Sequence, residues 1–194
     1  FKVTADVKLQ SEPALRIASH IWCRPYLQLS PSSCFVLDDG SGDVVGYILS
    51  TPDTEHFVNA YLKDYVPNLD EEKLPMPKDL DKPVDFDRDL EDSLLRILYS
   101  PEKDTPELIK TYPAHFHIDI LPPFQRKGFG SILMQTLLRH LKDSGVRGVH
   151  LNMVASNEGA KVFYSKKGFK LCLRASCNEV SVRDNQTLCL VRQL

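Results

Sequence analysis

The sequence has little net charge and no long apolar run. Its 24 basic and 26 acidic residues give a formal charge of −2, so no long-range field draws the chain to nucleic acid or to anionic lipid. Its apolar runs fall far short of the roughly 20 residues of a membrane-spanning helix. We therefore expect no nucleic-acid partner and no membrane partner, and any phosphate recognition has to be local.

Cysteines are also few, and their placement excludes two kinds of small domain. The five cysteines are Cys23, Cys34, Cys172, Cys177 and Cys189. They lack the close pairing of zinc sites and of disulfide scaffolds, so we expect reduced thiols and no metal site. No charged-then-apolar leader opens the chain. The sequence predicts a cytoplasmic or nuclear location, although a chain that starts without Met is consistent with an excerpt of a longer protein.

The chain does contain enough apolar material for one domain. Its 194 residues are 42% hydrophobic and 26% charged, which is typical of a globular chain. We expect a single domain over 1–194, as a monomer or homodimer. Prolines and acids concentrate between about 52 and 112, and residues 70–92 hold ten acids against four bases. This stretch is predicted to be an insertion.

Periodicity, capping residues and turn residues predict the other elements. The expected strands are 34–37, 44–49, 114–121, 146–154, 169–174 and 187–191. One expected helix begins after Ser11 and ends before Pro25, and another begins after Thr105. The other expected helices cover 58–65, 89–99, 132–145 and 158–167. The rest of the insertion is expected to be loose.

One predicted strand, 114–121, carries polar residues along one face. Its apolar positions are Phe116, Ile118 and Ile120, and its polar positions are His115, His117 and Asp119. Because imidazole titrates near pH 6.5, either histidine is a candidate base for an amine proton. His117 is favoured, with Asp119 as its rival. The alternative is that the histidines are structural donors, with His150 as their partner.

A glycine loop follows this strand: Gln125-Arg126-Lys127-Gly128-Phe129-Gly130. The two glycines let backbone N–H groups approach a pyrophosphate, and the helix that begins there adds the positive end of its dipole. An ordinary strand-to-helix turn would use the same residues. The spacing fits neither the nucleotide P-loop nor the dinucleotide fingerprint.

A second pattern lies further along the chain: Asn157-x-x-Ala160-x-x-x-Tyr164-x-x-x-Gly168-Phe169. This helix and the earlier Gln-x-x-Gly-x-Gly loop, in this order, resemble the GCN5-related N-acetyltransferases (GNAT). The resemblance is close over 114–174, extends to the hairpin at 34–49, and leaves the insertion unmatched.

The resemblance implies an α/β (α+β) fold with a mixed, mostly antiparallel central sheet. That sheet would be splayed between its fourth and fifth strands and flanked by helices, with the acidic insertion helical. The implied function is direct transfer of an acetyl group from acetyl-CoA to an amine, either a small molecule or a protein lysine or N-terminus. The implied cofactor-binding residues are Ile118, Asp119, Ile120, Gln125, Arg126, Lys127, Gly128, Phe129, Gly130, Ser131, Asn157, Ala160, Tyr164 and Lys167.

Tyr164 matches the tyrosine that protonates the leaving thiolate in many relatives. It joins His117, Asp119 and His115 as an implied catalytic residue, and the alternative is a packed aromatic ring. In family members the acetyl carbonyl and pantetheine pair with the backbone of the strand before the loop. The N–H groups around Ile118–Ile120 are therefore the implied donors.

Within the family, three runs are most similar to bacterial acetyltransferases related to the C-terminal domain of O-GlcNAc hydrolases. These runs are 52–54, 112–122 and 149–151. The animal domains are often regarded as pseudo-acetyltransferases that have lost cofactor binding. This chain retains Gln125, Gly128 and Gly130, so cofactor binding is expected. The alternative is a non-catalytic binding or regulatory domain.

The acceptor is expected to be selected by the insertion and the first helix. Asp85, Asp87, Asp89 and Glu91 are candidates to attract a cationic amine, and Trp22, Tyr26 and Tyr61 are candidate pocket walls. The alternatives are a solvated acidic surface and ordinary core aromatics.

Overall fold

The computed structural model describes residues 9, 11–101, 104–172 and 187–194. The helices are α1 (Glu12–Trp22), α2 (Arg24–Leu29), α3 (Thr54–Ala60), α4 (Leu90–Tyr99), α5 (Pro106–Thr111), α6 (Phe129–Asp143) and α7 (Glu158–Lys166). The strands are β1 (Cys34–Asp38), β2 (Val44–Thr51), β3 (Ala114–Ile120), β4 (Gly148–Val154), β5 (Lys170–Leu171) and β6 (Thr187–Gln193).

Side-chain caps determine where five of these helices begin. In each, the capping oxygen accepts the N–H three residues further on; the caps are Ser11, Asp53, Asp89, Thr105 and Asn157. The predicted starts after Ser11 and Thr105 are confirmed. The helix predicted at 58–65 instead begins at Thr54, because Asp53 caps it, and continues as a π-helical turn at Tyr61–Tyr65.

The sheet has the order β1-β2-β3-β4-β6-β5, with one parallel pair, β3 and β4. Every other pair is antiparallel. The predicted mixed, mostly antiparallel sheet is therefore confirmed. Of the strand predicted at 169–174, the structure shows Lys170–Leu171, and 173–174 lie outside the described residues.

The parallel pair is short, and the sheet opens beyond it. β3 and β4 are in register only at Ala114 with Val149 and at His115 with His150. From Phe116 onward the two strands are no longer paired. The resemblance placed this splay between the fourth and fifth strands. Along the described chain it lies between the third and fourth, because only two described strands precede β3.

Two apolar cores lie on opposite faces of the sheet. The first packs Phe116 of β3 against α6, with Met134 and Leu137 fully buried. The second joins α1, α2 and the insertion, where Leu94 and Leu98 of α4 are fully buried. The sheet is therefore covered on both sides.

The expectation that the rest of the insertion is loose is wrong, because its loop contributes to this second core. Leu74 is 1% exposed, and the Tyr99 hydroxyl donates to its carbonyl. The buried Arg96 guanidinium donates to the carbonyls of Lys82 and Pro83. Apolar burial and backbone acceptors, rather than local periodicity, order this segment.

The cysteines differ from expectation at one position. Cys23, Cys34 and Cys189 are free thiols, whereas Cys172 is disulfide-bonded, so the prediction of uniformly reduced thiols is wrong there. Sequence spacing alone could not show this pairing, since the fold decides which cysteines meet. Cys177 lies outside the described residues. In the described ranges no helix is both long and apolar enough to span a membrane.

Candidate active site

Strand β3 separates two chemically different faces, as its alternating sequence predicts. Phe116 lies in an aromatic cluster with Tyr164 and Phe169, at ring-centroid distances of 6.2 and 5.9 Å. His117 and Asp119 project from the opposite face, where His117 contacts the hydroxyl of Tyr26. The polar side chains therefore lie on the face covered by α2 and α3, and the apolar ones on the face covered by α6 and α7.

The ladder between β2 and β3 shows which backbone groups of β3 remain available. Val45 and Leu121 form a hydrogen-bonded pair, with the Leu121 N–H donating to Val45 O at 2.9 Å. Hydrogen-bonded pairs alternate in an antiparallel ladder, so Asp119 directs its backbone toward β2. Ile118 and Ile120 direct theirs toward the opening between β3 and β4. Of the three residues at 118–120, the outer two are thus placed to bind a ligand through backbone groups.

The glycine loop ends at an open helix N-terminus. Gly128 is the N-cap of α6, with φ +91°, and the Ile132 N–H donates to its carbonyl. Helix geometry leaves the N–H groups of Phe129 and Gly130 pointing out of the helix end. Since a Cβ at Gly128 would meet no atom within 4 Å, the space beside the loop is open. This arrangement suits a phosphate group.

The other loop side chains hold the turn or remain at the surface. The Gln125 amide donates to Ile120 O at 2.7 Å, which ties the loop to the end of β3. Lys127 lies over the ring of Phe124 at 5.5 Å, and its ammonium stays exposed. Arg126 has φ +61°, a left-handed conformation that costs about 1–2 kcal/mol in a non-glycine residue. The loop thus presents two cations beside the helix end.

Helix α7 closes this end of the site. Asn157 uses its side chain to cap α7, accepting the Ala160 N–H at 3.0 Å. The ring of Phe163 lies 3.5 Å from the position that a Cβ on Gly130 would occupy. α7 therefore packs against the start of α6. Lys167 lies one turn beyond Phe163, at the C-terminal end of α7.

Tyr164 of α7 is buried, at 8% exposure. Burial raises the pKa of its phenol, and the nearby Asp119 carboxylate raises it further. The hydroxyl bonds to no group that the structure describes. The one fully buried unpaired side-chain polar atom in the described ranges is Arg16 Nε, so the Tyr164 oxygen reaches solvent. It is neutral at pH 7 and free to donate.

Both histidines of β3 are partly buried and neutral at pH 7. Burial lowers the pKa of His117 to about 4, and burial, followed by the charges of His150 and His117, lowers that of His115 to about 3. The Tyr26 hydroxyl lies 2.7 Å from His115 Nε2 and 3.0 Å from His117 Nε2. His115 Nδ1 lies 2.7 Å from Thr54 Oγ1. His115 is thus enclosed at both nitrogens, whereas His117 is bonded at one.

Asp119 is paired with a tyrosine on the neighbouring strand. The Tyr47 hydroxyl donates to Asp119 Oδ2 at 2.6 Å. Burial raises the pKa of this carboxyl, and the hydrogen bond from Tyr47 offsets part of that rise. The net direction is upward, so Asp119 takes a proton more readily than an exposed aspartate and stays a rival to His117 as the base.

His150 does not serve as the hydrogen-bond partner of the β3 histidines. Its ring lies 5.6 Å from that of His115, but Nδ1 is 2.7 Å from Tyr112 O and Nε2 is 3.1 Å from Asp104 Oδ2. Burial by itself would raise the pKa of Asp104. The hydrogen bond with His150 and the charge of His150 together have a larger effect, so the pKa of Asp104 is lowered. Tyr112 O and Asp104 Oδ2 thus occupy both ring nitrogens of His150, and neither nitrogen is left for the β3 histidines.

Most of the acids proposed to attract the acceptor have structural roles. Asp89 caps α4, Asp85 accepts the Arg88 N–H, and Glu91 accepts the Ser11 hydroxyl. These contacts favour the solvated-surface alternative. Tyr61, proposed as a pocket wall, is 4% exposed and donates to the Leu98 carbonyl, while Trp22 packs against the second core.

Comparison with known proteins identifies the family. The profile of the Acetyltransferase (GNAT) family matches residues 98–169. The crystal structure of SsHAT is 36% identical, with a TM-score of 0.76, over 91% of this chain and 80% of SsHAT. The chain belongs to the GNAT family. Acetyl-CoA is the acetyl donor of this family, so the predicted fold and cofactor are confirmed, and the predicted N-acetyltransferase is confirmed at the level of the family.

Two curated relatives match over part of their length. The [ribosomal protein bS18]-alanine N-acetyltransferase of Haemophilus influenzae is 40% identical over 70 residues, which are 36% of this GNAT chain and 42% of that enzyme. Protein O-GlcNAcase of Rattus norvegicus is 27% identical over 145 residues, 73% of this chain and 15% of that protein. The chain thus spans less than half of either relative. The second match agrees with the predicted resemblance to O-GlcNAc hydrolases.

Three residues of the site had no signal in the sequence that marked their role. The sequence indicates Tyr26 only as a candidate pocket wall, and no motif points to Tyr47 or Thr54 as partners of β3. Each lies more than 60 residues from its partner on β3. Strand alternation gives one local clue to Tyr47: it lies on the same face of β2 as Leu49, and these two residues pair with Asp119 and His117 of β3.

Proposed function

We propose that this domain is an active acetyl-CoA-dependent N-acetyltransferase that passes the acetyl group directly to an amine. The observation that carries the proposal is the arrangement around the opening of the sheet. A neutral, partly buried imidazole, His117, lies on one face of β3, and a free phenol, Tyr164, lies against the other. An open helix N-terminus beside Gly128 completes the site.

The chemistry follows from these positions. Acetyl-CoA would place its pyrophosphate at the N–H groups of Phe129 and Gly130, and its thioester along the free edge of β3 at Ile118 and Ile120. His117 would accept the proton of the attacking amine, and Tyr164 would protonate the departing thiolate. Because His117 and Tyr164 lie on opposite faces of β3, the incoming amine and the departing thiolate would each have a separate proton-transfer partner.

The acceptor would enter on the face that holds Asp119. Its carboxylate attracts an ammonium ion, which loses a first proton to solvent and so becomes a nucleophile. The second proton, released from the nitrogen as the C–N bond forms, passes to His117. A small amine, a protein lysine and a protein N-terminus all fit this chemistry. Asp119 is the rival base, and the matched substitutions His117→Gln and Asp119→Asn separate the two roles.

Calorimetry with acetyl-CoA tests the binding half of the proposal. Gly128→Glu places a carboxylate where the phosphate would lie, so this variant should lose measurable affinity. Gly145→Glu is the matched control, since Gly145 also has a positive φ, of +76°, and open space around it, but lies beyond the other end of α6. Absence of binding by the wild type at high micromolar acetyl-CoA would overturn the proposal.

A further inference from the structure

Four side chains form one hydrogen-bonded series that ends at His117. They are Thr54 of α3, His115 and His117 of β3, and Tyr26 of α2. Thr54 Oγ1 donates to Pro113 O at 2.7 Å and contacts His115 Nδ1 at 2.7 Å. His115 Nε2 contacts the Tyr26 hydroxyl at 2.7 Å, and that hydroxyl contacts His117 Nε2 at 3.0 Å. The series therefore runs from a backbone carbonyl to the candidate base.

The Pro113 carbonyl at one end determines which group donates and which accepts in every hydrogen bond of this series. A carbonyl can only accept, so the Thr54 proton points to Pro113 and the Thr54 oxygen must accept from His115 Nδ1. A neutral His115 then has a lone pair at Nε2, which accepts the Tyr26 proton. The Tyr26 oxygen in turn accepts from His117, whose proton is therefore on Nε2.

This direction leaves His117 with its lone pair on Nδ1. No group in the described ranges bonds to Nδ1, and the one fully buried unpaired side-chain polar atom there is Arg16 Nε. Nδ1 thus reaches solvent, whereas Nε2 is held by a tyrosine that is 4% exposed. The Tyr26 ring is itself held by stacking on Phe57 at a centroid distance of 4.5 Å.

We infer that Tyr26 is a positioning residue: its hydroxyl, oriented through His115 and Thr54, fixes the tautomer and ring orientation of His117 so that Nδ1 faces the amine. This inference rests on the proposed function for its catalytic meaning. In the transfer step, Nδ1 takes the amine proton and His117 becomes an imidazolium that still donates to Tyr26 from Nε2. The proton then returns to solvent from Nδ1, and Tyr26 is unchanged.

Nitrogen NMR of the imidazole rings tests the tautomer without any turnover. At pH 7 the wild type should show His117 protonated at Nε2 and unprotonated at Nδ1. Tyr26→Phe keeps the stacked ring and removes the hydroxyl, so His117 should become a mixture of tautomers. Tyr99→Phe is the matched control, because it removes a buried tyrosine hydroxyl from the same core, where that hydroxyl donates to the Leu74 carbonyl and touches neither histidine. It should leave the His117 signals unchanged.

A second variant interrupts the series at its other end. Thr54→Val preserves shape and removes the acceptor of His115 Nδ1–H, so the His115 tautomer should change and the His117 preference should weaken. This variant keeps the inference testable if Tyr26→Phe does not fold. A wild-type His117 protonated at Nδ1, or a Tyr26→Phe protein with the wild-type tautomer, would overturn the inference.

Kinetics connect the tautomer to catalysis. Tyr26→Phe should lower kcat by about three- to tenfold, the value of one hydrogen bond, with acetyl-CoA affinity unchanged by calorimetry. Tyr99→Phe should keep the wild-type kcat. If the wild type shows no turnover, the proposed function fails, while the NMR spectra still decide whether Tyr26 sets the tautomer.

Discussion

The partly buried, neutral histidines of β3 should make folding sensitive to mild acid. His115 and His117 have pKa values lowered to about 3 and about 4 by burial, against about 6.5 in an unfolded chain. Between pH 6.5 and 4 the unfolded chain therefore binds more protons than the folded one. The stability that these residues contribute is fully present above pH 6.5 and is lost as the pH falls toward their folded pKa values.

The size of the effect follows from the same values. One unit of pKa difference corresponds to about 1.4 kcal/mol, and pH 5 lies about 1.5 units below the unfolded pKa. Each histidine should therefore cost about 2 kcal/mol between pH 7 and pH 5, and the pair about 4 kcal/mol. This is a large share of the roughly 5–15 kcal/mol that stabilises a typical domain.

Urea unfolding at pH 7, 6 and 5, followed by far-ultraviolet circular dichroism, measures this slope. His117→Gln should lose about 2 kcal/mol less than the wild type over this range, because one of the two titrating rings is gone. His56→Gln exchanges an exposed histidine of α3 and is the control. Parallel slopes for His117→Gln and the wild type would refute the reasoning.

The other predictions concern single side chains. Tyr164→Phe should lower kcat in a thiol-release assay and leave acetyl-CoA affinity unchanged by calorimetry, because only the hydroxyl is removed. Gly148→Ala should lower the free energy of unfolding by about 2 kcal/mol, measured in urea, since its Cβ would lie 2.6 Å from the Tyr112 ring. Arg96→Met should lower it by about 3 kcal/mol, because Asp92 and two carbonyls lose their donor.

For each of these three variants, one result would contradict the prediction. A wild-type kcat in Tyr164→Phe would assign thiolate protonation to water. An unchanged urea midpoint in Gly148→Ala would mean that β4 and the end of α5 are not in contact at Thr111 O, which the new Cβ would approach to 2.8 Å. An Arg96→Met protein as stable as the wild type would mean that the segment at 82–83 is held by other contacts.

The parts of the fold that depend on local pattern were predictable. The alternation at 114–121 assigned each side chain of β3 to the correct face, because the pleat of a strand has a period of two residues. The loop at 125–130 and the helix after it were recognised because glycine conformation and helix capping are also local. The start of α3 was missed although Asp53 followed by Thr54 and Glu55 is a helix-start signal.

The parts that depend on long-range contact were not predictable. Tyr26 meets two histidines 89 and 91 residues further along the chain, and no local pattern encodes that meeting. The expected partnership of His150 with the β3 histidines failed for the same reason, since Asp104 and the Tyr112 carbonyl occupy its nitrogens. The roles of the predicted cofactor-binding and catalytic residues stay predictions until a bound ligand or a rate is measured.

Thiol release from acetyl-CoA tests the central claim most directly. The wild type is given acetyl-CoA with small amines, a lysine peptide and peptides with free N-termini, beside His117→Gln under the same conditions. We expect thiol release that depends on at least one amine and falls by about 10²-fold in the variant, as for loss of a general base. Acetyl-CoA binding without amine-dependent thiol release from any acceptor would contradict the account and make this GNAT domain a binding module.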